Sequence, residues 1–187
     1  MLSIAIRGCY DIMLLKRVIK YFIFFIHLFL LKLESKVFLN NEQIGKYKIM
    51  SRNACERYCS QKHKKRSIII SIKSSWDKVD ADLHPDTMNN VRHILRLSFD
   101  DCEYEDNADH CMSKKDGRKV ARFIKKYYDD TDVIIVHCDG GVSRSAGVCA
   151  AIMRVMEGDD YPIFDSRTKH PNMTCYLRTL MGFGYIK

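Results

Sequence analysis

Apolar residues along the chain fall into short blocks that alternate between continuous runs and the three-to-four-residue step of a helix. "KYKIM", from Lys46, predicts a short strand, and "NACERYCSQK", from Asn53, a short helix. "SIIISI", Ser67 to Ile72, is rich in β-branched residues and too short for a buried helix, so it predicts a core strand. A polar segment follows from Lys73 to Asn90 and holds the only tryptophan, Trp76. "RHILRLSF" then predicts a further strand ending at "DD". Ser113 opens "SKKD", a capping box with Asp116, after which Val120, Phe123, Ile124 and Tyr127 recur at helical spacing. "DVIIVH", Asp132 to His137, is the next buried strand, and "SRSAGVCAAIMRVMEG" a helix ending near Gly158. "HPNMTCYLRTLM" predicts a last helix with Pro171 in its first turn. Strands alternating with helices of these lengths imply an α/β fold, a central and largely parallel sheet flanked by helices.

Residues 1–45 follow a different pattern. "YFIFFIHLFLL", Tyr21 to Leu31, is an apolar run broken only by His27 and preceded by Lys16, Arg17 and Lys20. A membrane-spanning helix needs about 20 apolar residues, more than this run offers. Three readings stay open: an interfacial or signal-anchor helix, a helix packed on the domain, or a stretch preceding a domain start near Met50. The expected division is a hydrophobic and basic extension over 1–45 and one folded domain over 46–187. The expected location is the cytoplasm, with weak membrane association through residues 18–33 if the run lies at an interface.

The net charge of +8 suits an anionic substrate but equally suits solubility. The densest basic run, "KHKKR" from Lys62 to Arg66, reads as a solvated helix end, and no nucleic-acid partner is expected from it. Cysteines stand at 9, 55, 59, 102, 111, 138, 149 and 175. Neither Cys55, Cys59 and His63 nor Cys102, His110 and Cys111 has the paired-knuckle spacing of a structural zinc site, so the cysteines read as free thiols in a reducing compartment.

The chemistry concentrates in "VIIVHCDGGVSRSAG", residues 133–147. It places a loop between a buried strand and a helix, at the carboxyl end of the sheet, where open α/β folds bind ligands. A loop entering a helix N-terminus presents backbone N–H groups and the positive end of the dipole to an oxyanion. Gly140 and Gly141 allow the backbone angles that turn those amides inward. A Cys138 thiolate would be stabilised by them and by Arg144, whose planar fork can hold two phosphate oxygens at once.

"HCDGGVSRS" resembles the signature loop of the cysteine-dependent protein tyrosine and dual-specificity phosphatases: His-Cys, five residues, Arg, then Ser or Thr. The likeness extends over roughly residues 47–182 and implies the compact dual-specificity-phosphatase fold. It implies attack of Cys138 on phosphorus, a phosphocysteine intermediate and its hydrolysis, with no cofactor or metal. The amides of Asp139, Gly140, Gly141, Val142 and Ser143 would bind the phosphoryl oxygens together with Arg144. Ser145 would assist the departing thiolate, and His137 would support the loop. The family also needs an aspartic acid to protonate the leaving oxygen. In "LRLSFDDCEYEDNAD", Leu97 and Phe99 stand four and two positions before Asp101 as in the dual-specificity pattern, which favours Asp101. Asp106 fits the usual spacing to Cys138 better, and Asp100 and Asp109 are further carboxylates of the segment. The "SRTKHPNM" segment is similar to the Arg-x-x-x-Pro-Asn stretch of the small phosphatases, which gives Pro171 and Asn172 a structural part and Arg167 a candidate second anion contact.

No loop with an aromatic wall that deepens a phosphotyrosine pocket is found, so the substrate implied is a phosphorylated protein or peptide bearing phosphotyrosine, with phosphoserine and phosphothreonine admitted too. The acidic Asp139 argues against a highly charged lipid headgroup. An RNA 5′-phosphatase and a non-catalytic phosphate-binding module are the alternatives.

Overall fold

The computed structural model describes residues 42–84, 90–102 and 109–187. The apolar run within residues 18–33 and the alternative acid Asp106 lie outside the described residues. No helix among the described residues is long and apolar enough to cross a membrane.

Five strands form one sheet in the order β1-β2-β5-β3-β4: β1 (Glu42–Ile44), β2 (Tyr47–Ser51), β3 (Ser67–Lys73), β4 (Val91–Ser98) and β5 (Val133–Cys138). β1 pairs antiparallel with β2, and the other neighbours are parallel. The sheet therefore begins four residues before Lys46. Parallel neighbours need crossovers; α1 (Arg52–Cys59) lies in the one from β2 to β3 and α2 (Lys114–Tyr127) in the one from β4 to β5, while α3 (Arg144–Glu157), the short α4 (Tyr161–Phe164) and α5 (Met173–Phe183) follow the last strand.

The two-residue side-chain period divides each strand between two cores. Ile68, Ile70 and Ile72 of β3, with Ile134 and Val136 of β5, pack with Val120 and Ile124 of α2 and Val148 and Ile152 of α3. Ile69, Val133 and Ile135 point the other way, onto Ala54, Cys55 and Tyr58 of α1. Strands β3 and β5 are buried on both faces, which is why they read as unbroken apolar runs rather than alternations.

Local chemistry sets the helix ends. Ser113 and Asp116 form the expected capping box of α2, and Gly158 ends α3 in the left-handed region at φ 79°. The last helix starts later than expected. Asn172 is extended and its side-chain oxygen accepts from Cys175 N at 2.8 Å, so it is the cap and Pro171 lies outside the helix.

The parallel register aligns the strand exits: Ser51 pairs with Cys138, Ser71 with His137 and Lys73 with Ser98. Four segments, starting at Arg52, Ser74, Phe99 and Asp139, leave the sheet at one edge. The cysteines differ from the expectation of uniformly free thiols. Cys102 and Cys111 are joined by a disulfide, while Cys55, Cys59, Cys138, Cys149 and Cys175 form no disulfide and are buried.

Candidate active site

Cys138 closes β5 and is 2% exposed. Its sulfur accepts from Gly141 N at 3.3 Å and lies 3.2 Å from Ser145 Oγ. Gly141 must be glycine: its φ is +69°, and a Cβ there would stand 2.4 Å from the Met50 carbonyl carbon. Gly140 has neither constraint, so the expectation made for both glycines holds for Gly141 alone.

The outer side of the loop is pinned carbonyl by carbonyl. Arg52 N donates to Asp139 O at 3.2 Å, His170 N to Val142 O at 3.1 Å and Asn172 N to Ser143 O at 3.2 Å. Lys169 Nζ donates to Gly141 O at 2.9 Å. On the other side, the Gly141 amide points to the Cys138 sulfur. Ser143, the cap residue of α3, makes no capping bond with its side chain; its hydroxyl donates to Asp101 instead.

Arg144 starts α3 and is buried at 5% exposure. Its Nη1 donates to Phe99 O at 2.9 Å and Ser74 Oγ at 3.1 Å, and its Nη2 to Asp139 Oδ2 at 2.6 Å. Burial opposes the guanidinium charge, but the Asp139 hydrogen bond and the charges of Cys138, Asp139 and Asp101 outweigh it and hold the group above its ordinary range. Nε is buried without a hydrogen-bond partner among the described residues. Such an orphan donor, on a residue of the loop that holds the Cys138 thiol and the Gly141 amide, is the polar feature an oxyanion would satisfy.

The described carboxylates after β4 separate by their partners. Asp100 accepts from Ser75 N and Ser75 Oγ at 2.7 and 2.8 Å, and the Ser75 backbone bond, then its hydroxyl, hold this carboxyl below the usual range. Asp101 is exposed, and its Oδ1 accepts from Ser143 Oγ and Asn172 Nδ2, both at 2.7 Å. The same Asn172 amide donates to Cys102 O at 2.9 Å. Asp101 is thus tied to the Cys138 loop at Ser143, whereas Asp100 braces the segment that follows β3. Asp109 is exposed at the far side of the segment, beside His110 and the disulfide. The donor atoms of Cys102, His110 and Cys111 lie within 4.8 Å of one another, with both sulfurs engaged in the disulfide.

His137 is 1% exposed, and neither ring nitrogen has a well-formed hydrogen-bond partner among the described residues. Desolvation pulls its pKa down to about 4, against a small opposing effect of the Cys138 backbone. Its burial therefore favours the neutral ring. Arg167 is exposed. The basic run Lys62–Arg66 lies at the other edge of the sheet, where His63, Lys64 and Lys65 help line a cavity of about 240 Å³ with Lys48 and Tyr58.

Sequence reasoning missed Ser74, Lys169 and the second task of Asn172. Ser74 was within reach, because the residue after a buried strand faces the crevice at the sheet's carboxyl edge. Nothing local marks Lys169 as buried.

The main-chain geometry is shared with known proteins. The human tyrosine phosphatase-like serine/threonine/tyrosine-interacting protein superposes with a TM-score of 0.54 at 16% identity, over 78% of this chain and 95% of that one. The fold is that of the dual-specificity phosphatases. Human DUSP28 gives a TM-score of 0.52 at 15% identity, over 76% of this chain and 90% of that one. A mouse protein described as a dual specificity phosphatase, in complex with zinc tungstate, gives 0.53 at 16% identity, over 78% and 86%. No family model and no curated protein matches the chain.

Proposed function

We propose that this chain is a phosphatase that hydrolyses phosphotyrosine, together with phosphoserine and phosphothreonine, in proteins or peptides through a phosphocysteine intermediate. The supporting observation is the placement of Cys138, Arg144 and Asp101 around one loop whose carbonyls are held outward.

In this reading the Cys138 thiolate attacks phosphorus while the leaving oxygen departs on the opposite side. The loop amides and the Arg144 fork meet the equatorial oxygens, and Arg144 exchanges its Asp139 contact for the phosphoryl group. Asp101 gives its proton to the leaving oxygen and, in the second step, accepts one from the attacking water. Ser145, 3.2 Å from the sulfur, donates to it as the phosphorus–sulfur bond breaks. The reaction draws on side chains and backbone alone, so the reading assigns it neither metal nor cofactor. Weak membrane association through the apolar run within residues 18–33 is a further part of the proposal.

A binding module without turnover is the second reading, because one protein of this fold is named as phosphatase-like and interacting. Retention here of a thiol, an arginine and a tethered carboxylate favours catalysis. The test is phosphate release by the full chain from a phosphotyrosine peptide and a phosphothreonine peptide, beside Cys138→Ser. Turnover that persists with chelator and vanishes in the variant is the expected result. Phosphopeptide binding with no turnover by the wild type would put the binding module in its place, and turnover only on RNA 5′-phosphates would replace the substrate class.

A further inference from the structure

Among the described residues, two lysine or arginine side chains are buried, Arg144 at 5% and Lys169 at 2% exposure, and both contact the loop after Cys138. Arg144 faces the side on which the thiol lies. Lys169 comes from behind, and its Nζ stands 2.9 Å from Gly141 O. It precedes His170 and Asn172, whose backbone amides hold the next two loop carbonyls. A neutral side chain could fill the same space without the desolvation cost of an ammonium, which is why lysine is so rarely interior.

The contact has an electronic consequence. Gly141 C=O and Val142 N–H belong to one peptide unit, so a cation on the oxygen draws density from the nitrogen and strengthens that N–H as a donor. The charge is also felt inside the protein: burial pushes the Cys149 thiol up, and Lys169 pulls it part of the way back.

We propose that Lys169 is a positioning residue that polarises the Gly141–Val142 peptide and adds a buried positive charge behind the loop, raising its affinity for a doubly charged phosphate group. This rests on the loop being a phosphate site. The charge acts through the low-dielectric interior, where a second charge on the ligand doubles the interaction.

The experiment measures binding of sulfate, a stable dianion of phosphate shape, and of nitrate, a monoanion, to the full chain by calorimetric titration. Wild type is compared with Lys169→Met, which removes charge and donor, and Lys169→Gln, which keeps a donor. Melting temperatures establish which variants are folded. Both folded variants are expected to bind sulfate roughly tenfold more weakly, with a much smaller loss for nitrate. If Lys169→Met does not fold, Lys169→Gln alone decides. Undiminished sulfate binding in a folded variant, or equal losses for the two anions, would overturn the proposal while leaving the phosphatase reading intact. A wild type that binds neither anion would overturn both.

Discussion

Asn172 Nδ2 stands 2.7 Å from Asp101 Oδ1, and the two residues are 71 positions apart in the chain. The amide oxygen of the same side chain caps α5 through Cys175 N, and its backbone N–H holds Ser143 O. One residue thus joins the last helix, the loop after Cys138 and the candidate acid. Asn172→Ala is expected to cost about 1 kcal/mol for the lost cap, with a further loss from the two bonds to Asp101 and Cys102. Thermal melts give the first quantity. The second appears as a fall in kcat that is steeper for phosphotyrosine peptide than for an aryl phosphate whose leaving group needs no proton.

The two adjacent carboxylates should separate cleanly in kinetics. Asp101→Asn is expected to lower kcat on phosphotyrosine peptide by roughly 10²–10⁴-fold, the usual worth of a positioned general acid. Asp100→Asn loses the Ser75 contacts of a turn and should keep most of the activity. Equal effects of the two changes would dismiss the assignment of Asp101.

Ser145 Oγ lies 3.2 Å from the Cys138 sulfur, and the proposed mechanism assigns its contribution to the second step. Ser145→Ala should let the phosphocysteine form normally and slow its hydrolysis. Rapid-quench measurements would then show a burst close to the enzyme concentration followed by a slow steady rate. A uniformly slower time course without a burst would place Ser145 outside that step.

Asp139 and Arg144 share a 2.6 Å hydrogen bond that, on the proposed function, a phosphoryl group would have to displace. Asp139→Asn removes the competing charge and should tighten inorganic phosphate several-fold, seen as a lower inhibition constant. Arg144→Lys keeps a charge but loses the fork, and should reduce kcat/KM by about 10²–10³-fold.

Stability should also carry the mark of His137. Folded His137 takes up a proton only near pH 4, whereas the unfolded side chain does so near 6.5. Between these values the unfolded state holds more protons, so stability rises with pH across that window and is lost as pH falls through it toward 4. Melting temperatures of Cys138→Ser, used to remove thiol chemistry, should fall over that range, and adding His137→Gln should flatten the slope. An unchanged slope would mean that other groups set it.

The sequence by itself determined the layered α/β plan, because β3 and β5 are unbroken apolar runs buried on both faces and α2 carries its own capping box. It also marked the loop from Cys138 to Ser145, since a strand, Gly141 and a helix start are all local features. It placed Pro171 inside the last helix, whereas Asn172 is the cap and Pro171 precedes it. Tertiary structure alone decided that Asp101 meets Ser143, that Ser74 reaches Arg144, that Cys102 finds Cys111, and that a lysine is buried against Gly141. Each of these pairings joins separate segments of the chain, and none leaves a periodicity to read. They are fixed by the register of parallel strands, which brings four loops to one edge of the sheet.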